Sequence, residues 1–343
     1  MPTKRILKLL LALAAATALL ALPAVAQATL TFVKNPMNPA VYTAGNDGSG
    51  IHKVGPGNSP HIAPDGESVA YFHEGSGNKA ELKLAPVRGG ATRTLMVGWR
   101  ETFYLAFTPD STTIAALRGG ELGKRKLVLI DVASGAQRVI ASGFFSGFSF
   151  SPKGDELVYS KANSEKFPPK SDVYRVPTAG GKSVAITQDQ ISMDPLWGPN
   201  DQIVFVKLLE KDKRKYGPKN ELYLMNPQGK AVKRLTHTKV DPLLQGLFPT
   251  DWSANGKKLL AEFEGQDTSY AVKVNVQTGA QKPVVKAEEQ GFVGAALSSD
   301  GNTVLGFTGG FEPGPRTAVA SVPYSGGKPK VLVKGGFEPD WSL

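Results

Sequence analysis

The chain has 343 residues with no cysteine, 38 glycines, 25 prolines and a formal charge of +10. Without cysteine there are no disulfides, no thiolate chemistry and no lipid-modified N-terminal cysteine, so the fold rests on its own apolar core. The balance is basic without a polycationic tail, which places the cations on folded loops rather than on a nucleic-acid arm.

In chain order, Lys4-Arg5-Ile6-Leu7-Lys8 opens an apolar run to Leu22 that is followed by Pro23-Ala24-Val25-Ala26-Gln27-Ala28. A charged start, an apolar centre and small residues at the end describe a secretory signal over residues 1–28, cut after Ala26 or Ala28. A membrane helix is the competing reading, but the run is short and lacks a charged stop. No other apolar run is long enough to span a bilayer, so residues 29–343 are expected to be exported, periplasmic or extracellular, as one domain and as a monomer. Without Lys4, Arg5 and Lys8 the charge is about +7.

A turn phrase then recurs: Ile62-Ala63-Pro64-Asp65-Gly66, Phe107-Thr108-Pro109-Asp110-Ser111, Phe150-Ser151-Pro152-Lys153-Gly154, Trp197-Gly198-Pro199-Asn200, Trp252-Ser253-Ala254-Asn255-Gly256 and Leu297-Ser298-Ser299-Asp300-Gly301. Pro presets φ at the second position of a type I turn, Asp or Asn suits the third, and Gly closes it. An apolar strand follows each copy, then a Gly-rich hairpin and a fourth strand such as Arg234-Leu235-Thr236. The copies lie about 45 residues apart, with one interval of about 55, which is the period of four-stranded propeller blades. No long stretch keeps helical periodicity, so the chain reads as all-β.

The two ends complete one another. Residues 29–55 supply three strands without a first, and Glu338-Pro339-Asp340-Trp341-Ser342-Leu343 supplies a first strand without a sequel. The expectation is therefore a seven-bladed β-propeller closed by pairing of its N- and C-terminal strands, which removes exposed sheet edges. Phe107, Phe150, Trp197, Trp252 and Trp341 hold equivalent slots and are expected to be buried between sheets.

These units resemble the WD40-like, TolB-type propeller repeat, with its Trp-Ser-Pro-Asp-Gly turn and terminal Leu-Thr. The closest copies are Leu222-Tyr223-Leu224-Met225-Asn226-Pro227-Gln228-Gly229 with Arg234-Leu235-Thr236, and Val173-Tyr174-Arg175-Val176 with Ala179-Gly180-Gly181. The resemblance implies a propeller over the whole of residues 29–343, without room for the α/β domain that precedes the TolB propeller. TolB-like propellers are commonly six-bladed, which is the alternative to the count of seven. Such repeats occur in envelope scaffolds and in accessory domains of peptidases, so they imply fold more than function.

Signals for catalysis are sparse. Gly147-Phe148-Ser149-Phe150-Ser151 lacks the last glycine of a nucleophile elbow. His52, His61, His73 and His237 lack metal-ligand spacing, and no metal or cofactor is expected. Asp65, Asp110 and Asp300 are expected to hold their own turns.

Two constellations stand out. The residue before each large apolar slot falls on the innermost strand of a blade, and there His61, Asp251 and Asp340 are candidates at the channel mouth for a cation or polar ligand. A mutually hydrogen-bonded channel wall is the competing account. The loops between second and third strands of three successive units carry Arg118, Lys124, Arg125 and Lys126, then Lys161, Lys166 and Lys170, then Lys207, Lys211, Lys213, Arg214, Lys215 and Lys219. They outnumber the acidic residues of those loops by about seven, as much as the whole excess charge of residues 29–343. One basic crescent is expected on one face, with a protein or an anionic envelope polymer as partner rather than nucleic acid. Leu243, Leu244, Leu247 and Phe248 are expected on the same face, packed on the rim or exposed for contact. The leading functional expectation is an exported non-catalytic scaffold. The alternatives are an exported lactonase or glycan-cleaving enzyme with its site at the channel mouth, and a glycan-binding module.

Overall fold

The computed structural model describes residues 29–99, 104–119, 124–164, 166, 168–214, 217–239, 244–265, 268–286, 291–310, 314 and 316–342, with the backbone alone at 210–214, 217–218 and 244. All regular structure among these residues is β-strand or turn, so no helix there is long and apolar enough to cross a membrane.

The chain starts with β1 (Thr29–Lys34), β2 (Ala40–Gly45) and β3 (His52–Pro56). Antiparallel meanders of four follow. The first is β4 (Asn58–Ile62), β5 (Ser68–Glu74), β6 (Lys79–Pro86) and β7 (Arg93–Trp99). Next come β8 (Leu105–Phe107), β9 (Thr113–Gly119), β10 (Arg125–Asp131) and β11 (Gln137–Phe150), whose far half opens the following meander with β12 (Glu156–Ala162), β13 (Ser171–Pro177) and β14 (Val184–Ala185). Then run β15 (Ser192–Trp197), β16 (Ile203–Arg214), β17 (Gly217–Met225) and β18 (Lys233–Arg234), and β19 (Leu244–Trp252), β20 (Lys258–Gly265), β21 (Ser269–Asn275) and β22 (Gln281–Pro283). The last meander is β23 (Val293–Leu297), β24 (Thr303–Thr308), β25 (Ala318–Pro323) and β26 (Lys330–Lys334). The final strand, β27 (Gly336–Ser342), pairs with β1, so the sheet β27-β1-β2-β3 joins the two ends of the described chain.

The turn phrase does what its chemistry dictates. Gly66, Ser111, Gly154, Gly256 and Gly301 each donate to the carbonyl three residues back, on Ala63, Thr108, Ser151, Ser253 and Ser298. The closing position is left-handed: Gly66 has φ 73°, and Ser111 reaches 62° without glycine's freedom. Asp65, Asp110 and Asp300 accept the N–H two residues on, closing Asx turns.

Strand alternation builds the core between successive meanders rather than within one. On β5, Val69 and Tyr71 join Val33 and Val41, while Ala70 and Phe72 join Ile114 and Val128 of the next meander. On β12, Leu157 and Tyr159 face back to Leu117 and Leu127, while Val158 faces forward to Trp197 and Phe205. On β16, Val204 and Val206 pack forward with Trp252 and Leu259; on β20, Leu260 packs forward with Val304. Leu305 and Val319 then meet Leu30 and Phe32 of β1. A strand buried on both faces reads as a continuous apolar run, and a period of two sends neighbouring residues to different cores.

Phe150, Trp197 and Trp252 are buried as expected, whereas Phe107 and Trp341 are half-buried. Leu247 belongs to the core and Phe248 packs against it, so these two do not form a contact surface. Leu243 lies outside the described residues. The lysine-rich insertion expected as a loop instead extends the β16–β17 hairpin, with Leu209 opposite Lys219 and Arg214 opposite Gly217.

Candidate functional site

The innermost strands carry the first candidate. Several are bulged just before the large apolar slot, between Asn58 and His61, between Pro249 and Asp251, and between Gly294 and Ala296. A bulge adds a residue and re-aims the side chain after it. The side chains so aimed reach the next meander. Asp251 Oδ1 accepts Trp252 N–H at 2.7 Å and Oδ2 accepts Leu297 N–H at 2.7 Å. Asp340 Oδ1 accepts Trp341 N–H at 2.9 Å and Oδ2 accepts Ile62 N–H at 3.0 Å. Ser149 holds the same slot, and its Oγ accepts Trp197 N–H at 2.7 Å. Two residues earlier, Glu338 Oε2 accepts Ser59 N–H at 2.7 Å.

His61, the third candidate, stands with Nδ1 3.7 Å from Asp340 Oδ2. The structure thus brings His61 and Asp340 together, while Asp251 serves a different joint. Burial raises the Asp251 carboxyl to about 7, against its two backbone donors and helped by the charge of Asp340. Burial likewise raises Asp194 to about 6 and Glu262 to about 7, and raises Glu264, Glu338 and Asp340. Asp340 keeps 27 % of its side-chain surface accessible. Chemically, a carboxyl near 7 is a competent general acid, but both oxygens of Asp251 and of Asp340 already hold backbone donors. Among the described residues no group of three or more His, Asp and Glu is arranged to hold a metal ion.

The second candidate lies at the ends of β7, β9 and β10. Antiparallel pairing sets Lys79 beside Trp99, Trp99 beside Gly119, and Gly119 beside Arg125. The row below sets Arg118 beside Lys126, and Lys126 beside Ser142. Together they wall a cleft of about 670 Å³, also lined by Val97 and Lys124. Arg118 Nη1 donates to Gln137 Oε1 at 3.1 Å, and Gln137 Nε2 donates to Leu95 O at 2.8 Å, which ties β11 to β7 beneath the cleft. Arg125 Nη1 donates to Phe145 O at 3.4 Å.

Arg118, Lys124 and Arg125 therefore line one cleft. Lys166 and Lys170 are exposed on the next meander, on the β12–β13 connection. Lys215 lies outside the described residues, and of Lys211, Lys213 and Arg214 only the backbone on β16 is described. Sequence reasoning missed Lys79, Val97 and Trp99. Alternation in Leu95-Met96-Val97-Gly98-Trp99 carries the fourth strand of that unit out to the basic rim, and this was the available signal.

No protein-family model matches the chain, and no curated protein matches it. Solved structures do. TolB from Acinetobacter baumannii is 17% identical, with 90% of this chain and 81% of that chain covered and a TM-score of 0.56. The β-propeller domain of the trilobed protease from Pyrococcus furiosus, which has an open velcro topology, is 15% identical, with 89% and 92% covered and a TM-score of 0.63. Oligogalacturonate lyase from Vibrio parahaemolyticus is 15% identical, with 90% and 85% covered and a TM-score of 0.56. At such identities the likeness shows fold alone: the chain has a β-propeller fold similar to that of TolB and of the protease propeller.

Proposed function

We propose that this chain is an exported, non-catalytic scaffold that holds an anionic partner on the basic face of a seven-bladed propeller. The four-stranded meanders together with the sheet β27-β1-β2-β3 support a count of seven, and the β1–β27 pairing with the cores that link β1 to its neighbours on both sides supports closure. The observation that carries the function is the convergence of Arg118, Lys124, Arg125 and Lys126 beside exposed Trp99, with no acidic residue among the described residues lining the cleft. Such a patch concentrates anionic partners and gives a salt-dependent association.

The test is cosedimentation of residues 29–343 with isolated membrane, wall and soluble envelope fractions across a salt series. The comparison is a variant with Lys124, Lys126, Lys166, Lys170, Lys211, Lys213, Arg214 and Lys215 changed to glutamate. Salt-sensitive binding to one fraction that weakens in the variant is the expected result; salt-independent or absent binding removes the reading.

An enzymatic reading has one observation in its favour, the Asp251 carboxyl held near 7. Against it stand the two backbone donors that Asp251 already satisfies. Hydrolase or lyase activity toward acidic glycans that Asp251→Asn abolishes in a folded protein would replace the scaffold reading.

A further inference from the structure

We infer that the cleft between β7 and the β9–β10 hairpin is a docking groove for an extended acidic peptide segment of a partner protein. This rests on the scaffold reading and gives it a place and a ligand chemistry.

The groove is built by register. Lys79, Trp99, Gly119 and Arg125 succeed one another across β6, β7, β9 and β10. Adjacent antiparallel strands place their paired Cα atoms about 4.5–5.5 Å apart. Gly119 contributes no side chain between Trp99 and Arg125, and all three line the cleft. Lys79 and Arg125 stand in register with Trp99 at the two ends of that row, and Lys124, Arg118 and Lys126 also line the cleft, the last two from positions one residue out of step with it.

The apolar part decides among anions. Val97 is 50% exposed and Trp99 45%, and they stand two residues apart on one strand, hence on one face. Their spacing is about 6.7 Å, which is the side-chain repeat of an extended peptide lying along the sheet. Alternating side chains of such a peptide set apolar groups against Val97 and Trp99 and carboxylates against Lys79, Lys124 and Arg125. A polyanion of uniform charge leaves Val97 without a counterpart. Trp with Arg at the centre of a patch is also the composition that dominates binding energy in protein–protein contacts.

Trp99 provides the readout. Trp197 and Trp252 are buried and Trp341 is half-buried, so Trp99 is the most exposed of the four tryptophans. The probe is a synthetic peptide alternating glutamate with valine, titrated into residues 29–343 at low and high salt. Fluorescence and calorimetry are read in parallel, with polyglutamate and an oligogalacturonate as comparators. Saturable, salt-weakened binding of the alternating peptide that changes Trp99 emission is expected, with polyglutamate about tenfold weaker. Trp99→Ala and the exposed-site variant Lys124→Glu should each lower affinity about tenfold or more while keeping the wild-type melting midpoint.

Equal or tighter binding of polyglutamate or the oligogalacturonate overturns the peptide assignment. Tight peptide binding unaffected by both variants overturns the groove while leaving the basic face as the contact surface. Absence of binding by all three probes, with salt-sensitive envelope adsorption retained, overturns the groove alone; loss of both overturns the scaffold reading as well.

Discussion

Asp340 Oδ2 accepts the backbone N–H of Ile62 at 3.0 Å across 278 residues of chain. The same carboxylate holds Trp341 N–H through Oδ1, so one side chain anchors the end of the last strand and the start of the first complete meander. Asp251 repeats the device on Trp252 and Leu297. An amide in place of either carboxylate presents NH₂ to one of two N–H donors and leaves it unsatisfied. Asp340→Asn and Asp251→Asn should each destabilise by about 1–3 kcal/mol, read as denaturant midpoints at constant slope. A neutral result at both sites would mean that water satisfies these N–H groups and that the joints do not depend on the carboxylates.

The raised carboxyls set a pH dependence whose sign is fixed. Asp251 and Glu262 rise to about 7 and Asp194 to about 6 in the folded protein, above their ordinary values of 3.8 and 4.5. Folded protein then binds more protons than unfolded protein between these limits, so stability falls as pH rises. The contribution is full below about pH 4 and is lost on rising through about 6 to 7. Asp110, Asp131 and Asp300 work the other way, because hydrogen bonds lower them, but their contribution is lost only below the ordinary carboxylate range. The melting temperature should therefore be higher at pH 5 than at pH 8, and Glu262→Gln should flatten the slope. A profile that rises steadily from pH 5 to pH 8 contradicts the burial of these groups.

Much of this fold was legible in the sequence because its period is written in turn chemistry. Pro64-Asp65-Gly66 and its copies mark each first hairpin, and the partial units at the two ends announced the β27–β1 pairing. The candidate site was legible only as charge. Arg118, Lys124 and Arg125 were found by composition, whereas Trp99 joins them through a single cross-strand bridge to Gly119, which no local pattern encodes. The channel candidates were legible as positions but not as roles. A carboxylate on an inner strand looks the same whether it awaits a ligand or already holds the N–H groups of two meanders. The lysine-rich insertion was misjudged as a loop because charge and Gly217-Pro218 mask strand pairing that extends from a strongly apolar hairpin.

The terminal Leu-Thr of the repeat has a definite task, and it predicts a sensitive site. Thr187 Oγ1 accepts Val173 N–H and donates to Asp172, and Thr236 Oγ1 accepts Leu222 N–H and donates to Glu221. Glu221 is fully buried and is met also by Lys219 Nζ at 2.8 Å, Arg234 Nη2 at 3.1 Å and Thr238 N–H at 2.8 Å. Removing the carboxylate leaves the buried Lys219 and the half-buried Arg234 uncompensated, so Glu221→Ala should cost about 3–5 kcal/mol. Thr187→Val, in the less charged copy, should cost about 1–3 kcal/mol. Chemical denaturation of both variants checks the order; a larger loss at Thr187 would reverse the assignment of the network's anchor.

Trp252 and Gly198 form a close joint between meanders. The indole lies over Gly198 so closely that a Cβ there would stand 2.8 Å from Trp252 Cε2. Its Nε1 donates to Leu196 O at 3.4 Å, and the ring fills the core shared by Val204, Leu222 and Leu259. Trp252→Ala should therefore cost about 3–5 kcal/mol through the cavity it opens. Gly198→Ala should cost about 1–3 kcal/mol through overpacking. Because removing the indole takes away the closest obstacle and leaves the added methyl only the Gln202 carbonyl oxygen at 3.2 Å, the double variant should be little less stable than Trp252→Ala alone. Melting midpoints of the two single variants and the double variant test this coupling. Strictly additive losses would place the indole away from Gly198 and refute the register of this joint.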